Sequence, residues 1–536
     1  MNAIHRVATN TGILYLRMAI TVFISLYATR LVLTALGIEN FGLYNLVGGV
    51  IAMLGFLNGA MAAATQRFMS IAQGAGDIAK VKRIFNMSTV LHAGIAILVV
   101  IVFEIAGYFF FNGMLNIAEN RIAVAKLVYQ FMVISTLFTI ISVPYEAVIT
   151  SHENMLFYAI LGVGEALLKL AIALYISYGT LNLPTSLNIS AQHLQLNYST
   201  VDSLTIYGLL MAVLSIVMLM IRRHYCHKKY AECEFDLKKH YDKKLLKEIT
   251  SFAGWSFLGT ASSMVANYGQ AIVINVFFGT AVNAAQAIAG QICGQLSVFA
   301  STLMKALNPV IDKSEGAGDR NLMLKATMMG SKVSFFLIML LYIPFLIEMP
   351  FILKLWLKNV PELTVIFCQL SLVRSLIEQV FIPLNTAISA VGNIKRYQIS
   401  GSLLSFLPLA ITYTLFKFGY PAYAIYIVFI IYAILLAMLT LYFAKKHCHL
   451  SLADFFCNVI ARCASTFTLV FLMALIPYFT SEPSAMRLIN VAIISLVSYL
   501  IIVFFIGFSG DERVKIKQLV SVILSKIGFT NFAFRL

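Results

Sequence analysis

Residues 12–36 read GILYLRMAITVFISLYATRLVLTAL, an apolar run in which Arg17 and Arg30 are the charged positions. A run of about 20 such residues is what an α-helix needs to cross the hydrocarbon core of a bilayer. The run is too long for the apolar part of a signal peptide, so we expect it to remain as the first membrane helix. Comparable runs recur along the chain, which predicts an all-α integral membrane protein.

Segmentation by apolar runs and polar breaks predicts about fourteen transmembrane helices. They lie near residues 11–35, 43–66, 87–111, 122–148, 155–179, 203–221, 250–279, 284–307, 326–348, 362–390, 397–416, 423–443, 456–479 and 488–508. The predicted organisation is an N-lobe over 1–221, a basic cytoplasmic loop over 222–248, a C-lobe over 249–443, and two further helices with a cytoplasmic tail over 444–536.

The composition excludes a soluble protein. Hydrophobic residues make up 60% of the chain and charged residues 12%, with a mean hydropathy of +0.87. Soluble domains are about 45–50% apolar and about 25% charged. The bilayer is therefore the expected environment of nearly the whole chain.

Basic residues outnumber acidic ones, 39 Lys and Arg against 23 Asp and Glu. With the N-terminus in the cytoplasm, 25 of the Lys and Arg residues fall on inner segments, and the outer segments hold only five, Arg121, Lys354, Lys358, Lys417 and Arg487. The positive-inside rule then places both termini in the cytoplasm and accounts for the basic excess without a nucleic-acid partner. Multi-pass insertion in the inner (plasma) membrane of the cell is the expected localisation.

The seven cysteines are an odd set without C-x2-C spacing, so we expect no disulfide framework. His224, Cys226, His227 and Cys233 are close enough in sequence to ligate zinc, and a solvated loop is the alternative interpretation. We predict the solvated loop, with no metal and no cofactor.

An internal repeat relates the two halves of the chain. A shift of 242 residues places Gly12 on Gly254, Gly37 on Gly279, and the tetrapeptide Gly-Ala-Gly-Asp at 74–77 on the same tetrapeptide at 316–319. An even number of helices separates the copies, so both run in the same direction. Two six-helix lobes related by an axis along the membrane normal are predicted, an arrangement in which transporters alternate access to a cavity.

Ionisable residues inside predicted spans are the candidate functional groups, because charge is costly in a bilayer and normally faces a bundle interior or a wet cavity. Glu165 with Lys169, and Arg374 with Glu378, have i,i+4 spacing, so each could be a structural ion pair or part of a site. The candidate substrate-binding cations are Arg17, Arg30, Arg67, Lys169 and Arg374, and the candidate ion-coupling acids are Glu104, Glu165 and Glu378.

The first-lobe cations are not shared by the repeat, because the shift of 242 places Arg17, Glu165 and Lys169 on Gly259, Leu407 and Ile411. An N-lobe with extra positive charge suits an anionic headgroup, since Arg donates bidentate hydrogen bonds to phosphate oxygens. Lys126, Lys305 and Lys332 lie near span ends, and we expect them to extend toward the interface.

Several stretches together resemble the polysaccharide-transporter, or O-antigen flippase, branch of the multidrug/oligosaccharidyl-lipid/polysaccharide exporter superfamily. They are LGIENFGLY at 36–44, TQRF at 65–68, SHENM at 151–155, EALLKL at 165–170, LWLKNVP at 355–361 and GNIKRYQ at 392–398. Lys358 departs from the Gly expected there. The resemblance implies a flippase that moves undecaprenyl-diphosphate-linked oligosaccharide from the cytoplasmic to the periplasmic leaflet, with glycan polymerase and ligase machinery as possible partners.

Other functions fit the sequence less well. A membrane glycosyltransferase or polymerase needs catalytic groups in large exterior loops, whereas the longest, near 180–202, offers only His193 and Asp202. No ATP-binding motif is present, so we predict a protein that is not an enzyme. The alternative within the superfamily is a cation-coupled multidrug exporter or a peptidoglycan-precursor flippase.

Overall fold

The computed structural model describes residues 3–53, 55–114, 119–179, 202–357, 360–514 and 516–518. Most of the predicted exterior loop near 180–202, including His193, lies outside these ranges, as does Lys358. Within them the chain is helical, without strands, as the sequence predicts.

Sixteen α-helices follow one another in the described chain. They are α1 (Ala3–Met53), α2 (Gly55–Gly74), α3 (Ile78–Phe109), α4 (Ile122–Ser151), α5 (Met155–Leu174), α6 (Ser203–Lys229), α7 (Leu237–His240), α8 (Lys243–Gly316), α9 (Arg320–Trp356), α10 (Thr364–Val391), α11 (Lys395–Lys417), α12 (Ala424–Cys448), α13 (Leu452–Phe455), α14 (Ala461–Ala474), α15 (Ile476–Thr480) and α16 (Ala485–Ile502). Single π-helical turns occupy Phe110–Met114, Tyr175–Gly179, Phe456–Ile460 and Val503–Gly507.

Twelve of the described helical segments are long and apolar enough to cross a membrane, which confirms an all-α membrane fold close to the predicted fourteen spans. The predicted spans near 43–66 and 250–279 are not among the twelve. The second of these carries many small and polar residues, including Ser262, Ser263, Asn267 and Gln270, which lower its hydropathy.

Two compact units make up the chain. The N-terminal unit comprises Asn10–Phe257, and the C-terminal unit comprises Leu258–Leu536 together with Met1–Thr9. In the N-terminal unit α4 packs against α2, α3 and α6. In the C-terminal unit α10 packs against α9 and α12, while α14 and α16 pack against each other and against α9.

The internal repeat is visible in the backbone. Gly37 in α1 and Gly279 in α8 interrupt their helices with nearly the same conformation, φ 76° and ψ 167° against φ 76° and ψ −172°. Asp77 and Asp319 both cap the following helix by accepting a hydrogen bond from the backbone N–H three residues on. Each structural feature recurs at the 242-residue shift found in the sequence.

Replacing Gly279 with Ala is expected to lower the free energy of unfolding by about 1–3 kcal/mol, because only glycine adopts this region of φ and ψ without strain. Gly290→Ala in the same helix is the matched control, since Gly290 has no positive φ and a Cβ there meets nothing within 4 Å. The thermal unfolding midpoint of both variants in detergent measures the difference. Equal midpoints would show that a residue with a side chain adopts the backbone conformation of Gly279 without strain.

Candidate functional site

One face of α5 carries four residues of functional interest in the N-terminal unit. Tyr158, Gly162, Glu165 and Lys169 are spaced i, i+4, i+7 and i+11, which places them in one row along a helix. At 1.5 Å per residue the row is about 17 Å long. Along the row lie an aromatic ring, a glycine that lets another side chain approach the backbone, a carboxylate and an amine.

Arg17 of α1 docks at the first two positions of this row. Its guanidinium carbon lies 4.5 Å from the centroid of the Tyr158 ring, a cation–π distance. The same group packs so closely on Gly162 that a Cβ added there would collide with it. The guanidinium therefore packs against an aromatic ring and against a backbone that carries no side chain.

The charge of Arg17 is not compensated within the described part of the chain. Its Nε is buried without a hydrogen-bond partner there, and no described carboxylate forms an ion pair with it. A half-buried cation in an apolar setting is costly unless an anion or water completes its hydrogen bonds. Arg17 therefore carries a positive charge that no described carboxylate neutralises.

The other end of the row is a shared ion pair. Glu165 Oε1 lies 2.7 Å from Lys169 Nζ, so the predicted i,i+4 pair forms. Glu165 Oε2 lies 3.8 Å from Nη2 of Arg222, whose Nη1 donates to Ser142 Oγ at 2.9 Å. Two cations share one carboxylate, so the cluster of Arg17, Glu165, Lys169 and Arg222 carries net positive charge.

Arg222 was not among the sequence-predicted site residues. The prediction placed it in a loop over 222–248, whereas α6 continues through Lys229, α7 follows, and α8 begins at Lys243. No Gly or Pro separates Ile221 from Lys229, and Lys and Arg are good helix formers, so the helix extends past the apolar run. The absence of a helix breaker was the signal available in the sequence.

The C-terminal unit has an uncharged counterpart of this row. α5 and α11 begin at Met155 and Lys395, so the shift between these helices is 240 rather than 242. The counterparts of Glu165 and Lys169 are therefore Ser405 and Leu409, which corrects their assignment to Leu407 and Ile411 by a uniform shift. Indels in the segments before α5 and α11 account for the change of shift.

The contact geometry of the row is also repeated. A Cβ added at Gly259, the counterpart of Arg17, would collide with the side chain of Gln398, the counterpart of Tyr158. The contact between the two helices recurs, whereas Gly259, Ser405 and Leu409 at the equivalent positions carry no charge.

The remaining predicted cations and acids of the N-terminal unit lie elsewhere. Arg30 is exposed on α1, about 20 Å along the helix axis from Arg17. Arg67 is buried, with its guanidinium carbon 4.4 Å from the Phe252 ring centroid. Glu104 accepts a hydrogen bond from Gln130 Nε2 at 3.2 Å. It lines a cavity of about 300 Å³ together with Lys126.

In the C-terminal unit, Arg374 and Glu378 form the second predicted i,i+4 pair. Arg374 Nε lies 2.7 Å from Glu378 Oε1, and the guanidinium carbon lies 4.7 Å from the Phe429 ring centroid. The pair lines a cavity of about 250 Å³. Unlike Arg17, Arg374 has its counter-charge beside it.

Two buried ion pairs in this unit were not predicted. Lys332, expected to extend toward the interface, has a side chain only 2% exposed and lies 2.5 Å from Glu512 Oε1. Glu348 is fully buried, and its oxygens accept from Arg487 Nε at 2.7 Å and from Nη2 at 2.9 Å. Burial would raise the pKa of Glu512, but hydrogen bonds from Lys332 and Ser509 and the Lys332 charge outweigh burial and lower it.

The cysteine and histidine residues near 224–233 do not form a metal site in the described chain, where no group of three or more His, Cys, Asp or Glu side chains could hold an ion. Cys226 and Cys233 are buried rather than solvated. Hydrogen bonding to Cys226 and burial raise the pKa of the Cys233 thiol, which opposes the thiolate that zinc requires.

Comparison with known proteins shows the fold. No protein-family model matches the sequence, and no curated protein matches it. Among solved structures, the chain is similar to a MATE in the straight conformation, with a TM-score of 0.67 and 14% identity over 83% of this chain and 96% of that one. A multidrug resistance MATE family transporter of the MOP superfamily, in an outward-facing conformation, gives a TM-score of 0.66 and 14% identity over 83% and 95%.

A third similar structure is a MOP superfamily transporter from Pyrococcus furiosus, in which the reverse polarity of the binding pocket suggests a different function for that protein. Its TM-score is 0.65, with 14% identity over 83% of this chain and 95% of that one. The chain therefore has the fold of MATE transporters, which matches the predicted fold class.

Proposed function

We propose that this protein is a flippase that moves a polyprenyl-diphosphate-linked oligosaccharide from the cytoplasmic to the periplasmic leaflet of a bacterial inner membrane by alternating access. The MATE-like fold supports a transporter, and the charge of the N-terminal unit supports an anionic substrate. Both termini lie in the cytoplasm in this proposal, and glycan polymerase and ligase enzymes act on the product.

The observation that carries the proposal is the uncompensated Arg17. Its guanidinium packs against Gly162 and Tyr158 and has no carboxylate partner in the described chain. A diphosphate supplies planar pairs of oxygen acceptors that match such a group. Lys169 and Arg222 add a further unbalanced charge on the same unit, so the site attracts an anion and repels a cation.

A second candidate is a cation-coupled exporter of small molecules, which the similarity to a multidrug resistance transporter brings into consideration. Glu104 is the acid on which this candidate rests, because its described hydrogen-bond partner is the neutral Gln130. Glu165 and Glu378 are each paired with cations. A peptidoglycan-precursor flippase shares the diphosphate chemistry and differs only in the glycan.

The proposal is tested with purified protein in liposomes that carry a labelled undecaprenyl-diphosphate oligosaccharide. We expect the label to become accessible to a membrane-impermeant glycosidase faster than in protein-free liposomes. A fluorescent cationic drug in the same liposomes tests the second candidate. Drug transport without lipid translocation, under proton and sodium gradients of either sign, would reject the flippase in favour of export.

A further inference from the structure

A cavity of about 250 Å³ with a mixed polar and apolar lining lies in the C-terminal unit, between residues of α8, α10 and α12. Its volume is of the order of one monosaccharide ring. The residues used below are Asn267, Glu378, Phe381, Asn385 and Tyr432. The cavity is distinct from the cation cluster, whose members all belong to the N-terminal unit.

The cavity is electrically balanced. Its one acid and one base, Glu378 and Arg374, neutralise each other at 2.7 Å. Stacking on Phe429 further holds the Arg374 guanidinium in place. A charged ligand would gain little here, because each ionic partner already has its counter-charge. The lining therefore favours a neutral polar ligand.

The polar groups that remain available are of both kinds. Asn385 Oδ1 accepts from the Tyr397 hydroxyl at 2.5 Å, which leaves its amide N–H groups as donors. Asn267 Nδ2 donates to Ser263 O at 2.9 Å, which leaves its carbonyl oxygen as an acceptor. Glu378 Oε2 is a second acceptor, since the ion pair uses Oε1. Mixed donors and acceptors complement hydroxyl groups, each of which donates one hydrogen bond and accepts others.

Aromatic rings complete the lining. Tyr432 contributes both a ring and a hydroxyl, and Phe381 contributes a purely apolar ring. A few placed polar groups among apolar walls are typical of small-ligand sites. A sugar ring has apolar C–H faces and polar edges, so it can contact both kinds of wall at once.

We propose that this cavity binds a neutral sugar residue of the lipid-linked glycan. The assignment of the ligand to a lipid rests on the proposed function. The assignment of the cavity to a neutral sugar rests on its own lining.

The test compares two probes, bare undecaprenyl diphosphate and undecaprenyl diphosphate carrying a neutral oligosaccharide, in equilibrium binding to purified protein in nanodiscs. We expect Tyr432→Phe and Asn385→Ala to weaken binding of the glycosylated probe about tenfold and to leave binding of the bare probe unchanged. Tyr413→Phe is the matched control, because Tyr413 is an exposed tyrosine on α11 of the same unit and outside the cavity lining.

The outcomes separate this inference from the proposed function. Equal loss of both probes, or loss of neither, would overturn the sugar site while leaving the flippase intact. If the unmodified protein binds neither lipid, saturation-transfer NMR with free methyl glycosides tests whether the cavity binds a sugar. A transfer signal that Tyr432→Phe abolishes would then support the sugar site without the flippase, and no signal would overturn both.

Discussion

Arg17→Ala is expected to lower the initial rate of lipid translocation in liposomes about 10- to 100-fold. Hydrogen bonds to charged groups contribute about 1.5–3 kcal/mol, and the guanidinium of Arg17 has no described carboxylate to share them with. The variant is expected to fold, because the residue is only half-buried and its removal leaves no unpaired charge. The rate of access to a membrane-impermeant glycosidase measures the effect.

Two further variants separate the charge of Arg17 from its position. Arg17→Lys keeps the charge but loses the planar donors and the contact with Tyr158, so an intermediate rate is expected. Gly162→Ala keeps Arg17 but introduces a Cβ that collides with its guanidinium. A loss of rate in Gly162→Ala close to that in Arg17→Ala would show that the position of the group, not its charge alone, supports transport.

The matched control is Arg223→Ala, since Arg223 is an exposed arginine on α6 beside the cluster member Arg222. We expect it to retain the unmodified rate. An equal fall of rate in Arg223→Ala and Arg17→Ala would contradict a specific anion site and indicate a general effect of surface charge. Arg30→Ala tests the alternative of a continuous cationic path along α1, in which Arg30 and Arg17 would contribute alike.

The elements that the sequence predicts correctly are those whose causes are local. Apolar runs predict the helices, because each run must satisfy its own backbone hydrogen bonds in a bilayer. Gly37 and Gly279 are recognisable as a repeated pair because a positive φ requires glycine at both positions. The pairs Glu165–Lys169 and Arg374–Glu378 form as predicted because i,i+4 residues meet on any helix.

The partners that the sequence does not predict are distant in the chain. Arg222 contacts Glu165 from another helix. The predicted span ends at residue 221, whereas α6 continues to Lys229, so the sequence does not place Arg222 on a helix. Gly162 supplies the space into which Arg17 packs, and a lone glycine in an apolar helix carries no mark of that role. Side-chain contacts between helices depend on packing angle and rotation, which the pattern of one chain does not determine.

The ion pair between Glu348 and Arg487 is the clearest of these long-range contacts, and breaking it is expected to have the largest effect on stability. The two residues are 139 positions apart, and their buried side chains form two hydrogen bonds. Arg487 also lies 4.8 Å from the centroid of the Tyr478 ring. The pair links α9 to α16. It therefore adds a polar contact to the packing of α14 and α16 against α9.

Glu348→Gln is expected to lower the free energy of unfolding by about 3–5 kcal/mol, because it leaves the Arg487 guanidinium buried without a counter-charge. Replacing both residues, in Glu348→Gln with Arg487→Met, removes the stranded charge and is expected to restore most of the loss. The thermal unfolding midpoint in detergent measures the single and double variants.

Glu234→Gln is the matched control. Its partner is Lys82 at 2.9 Å, and the side chain is 50% exposed, so the loss of stability is expected to be much smaller than in Glu348→Gln. A Glu348→Gln variant as stable as Glu234→Gln would mean that water or lipid headgroups already reach Arg487. If the double variant is less stable than Glu348→Gln, the packing of Arg487 on Tyr478, rather than its charge, holds α16 against α9.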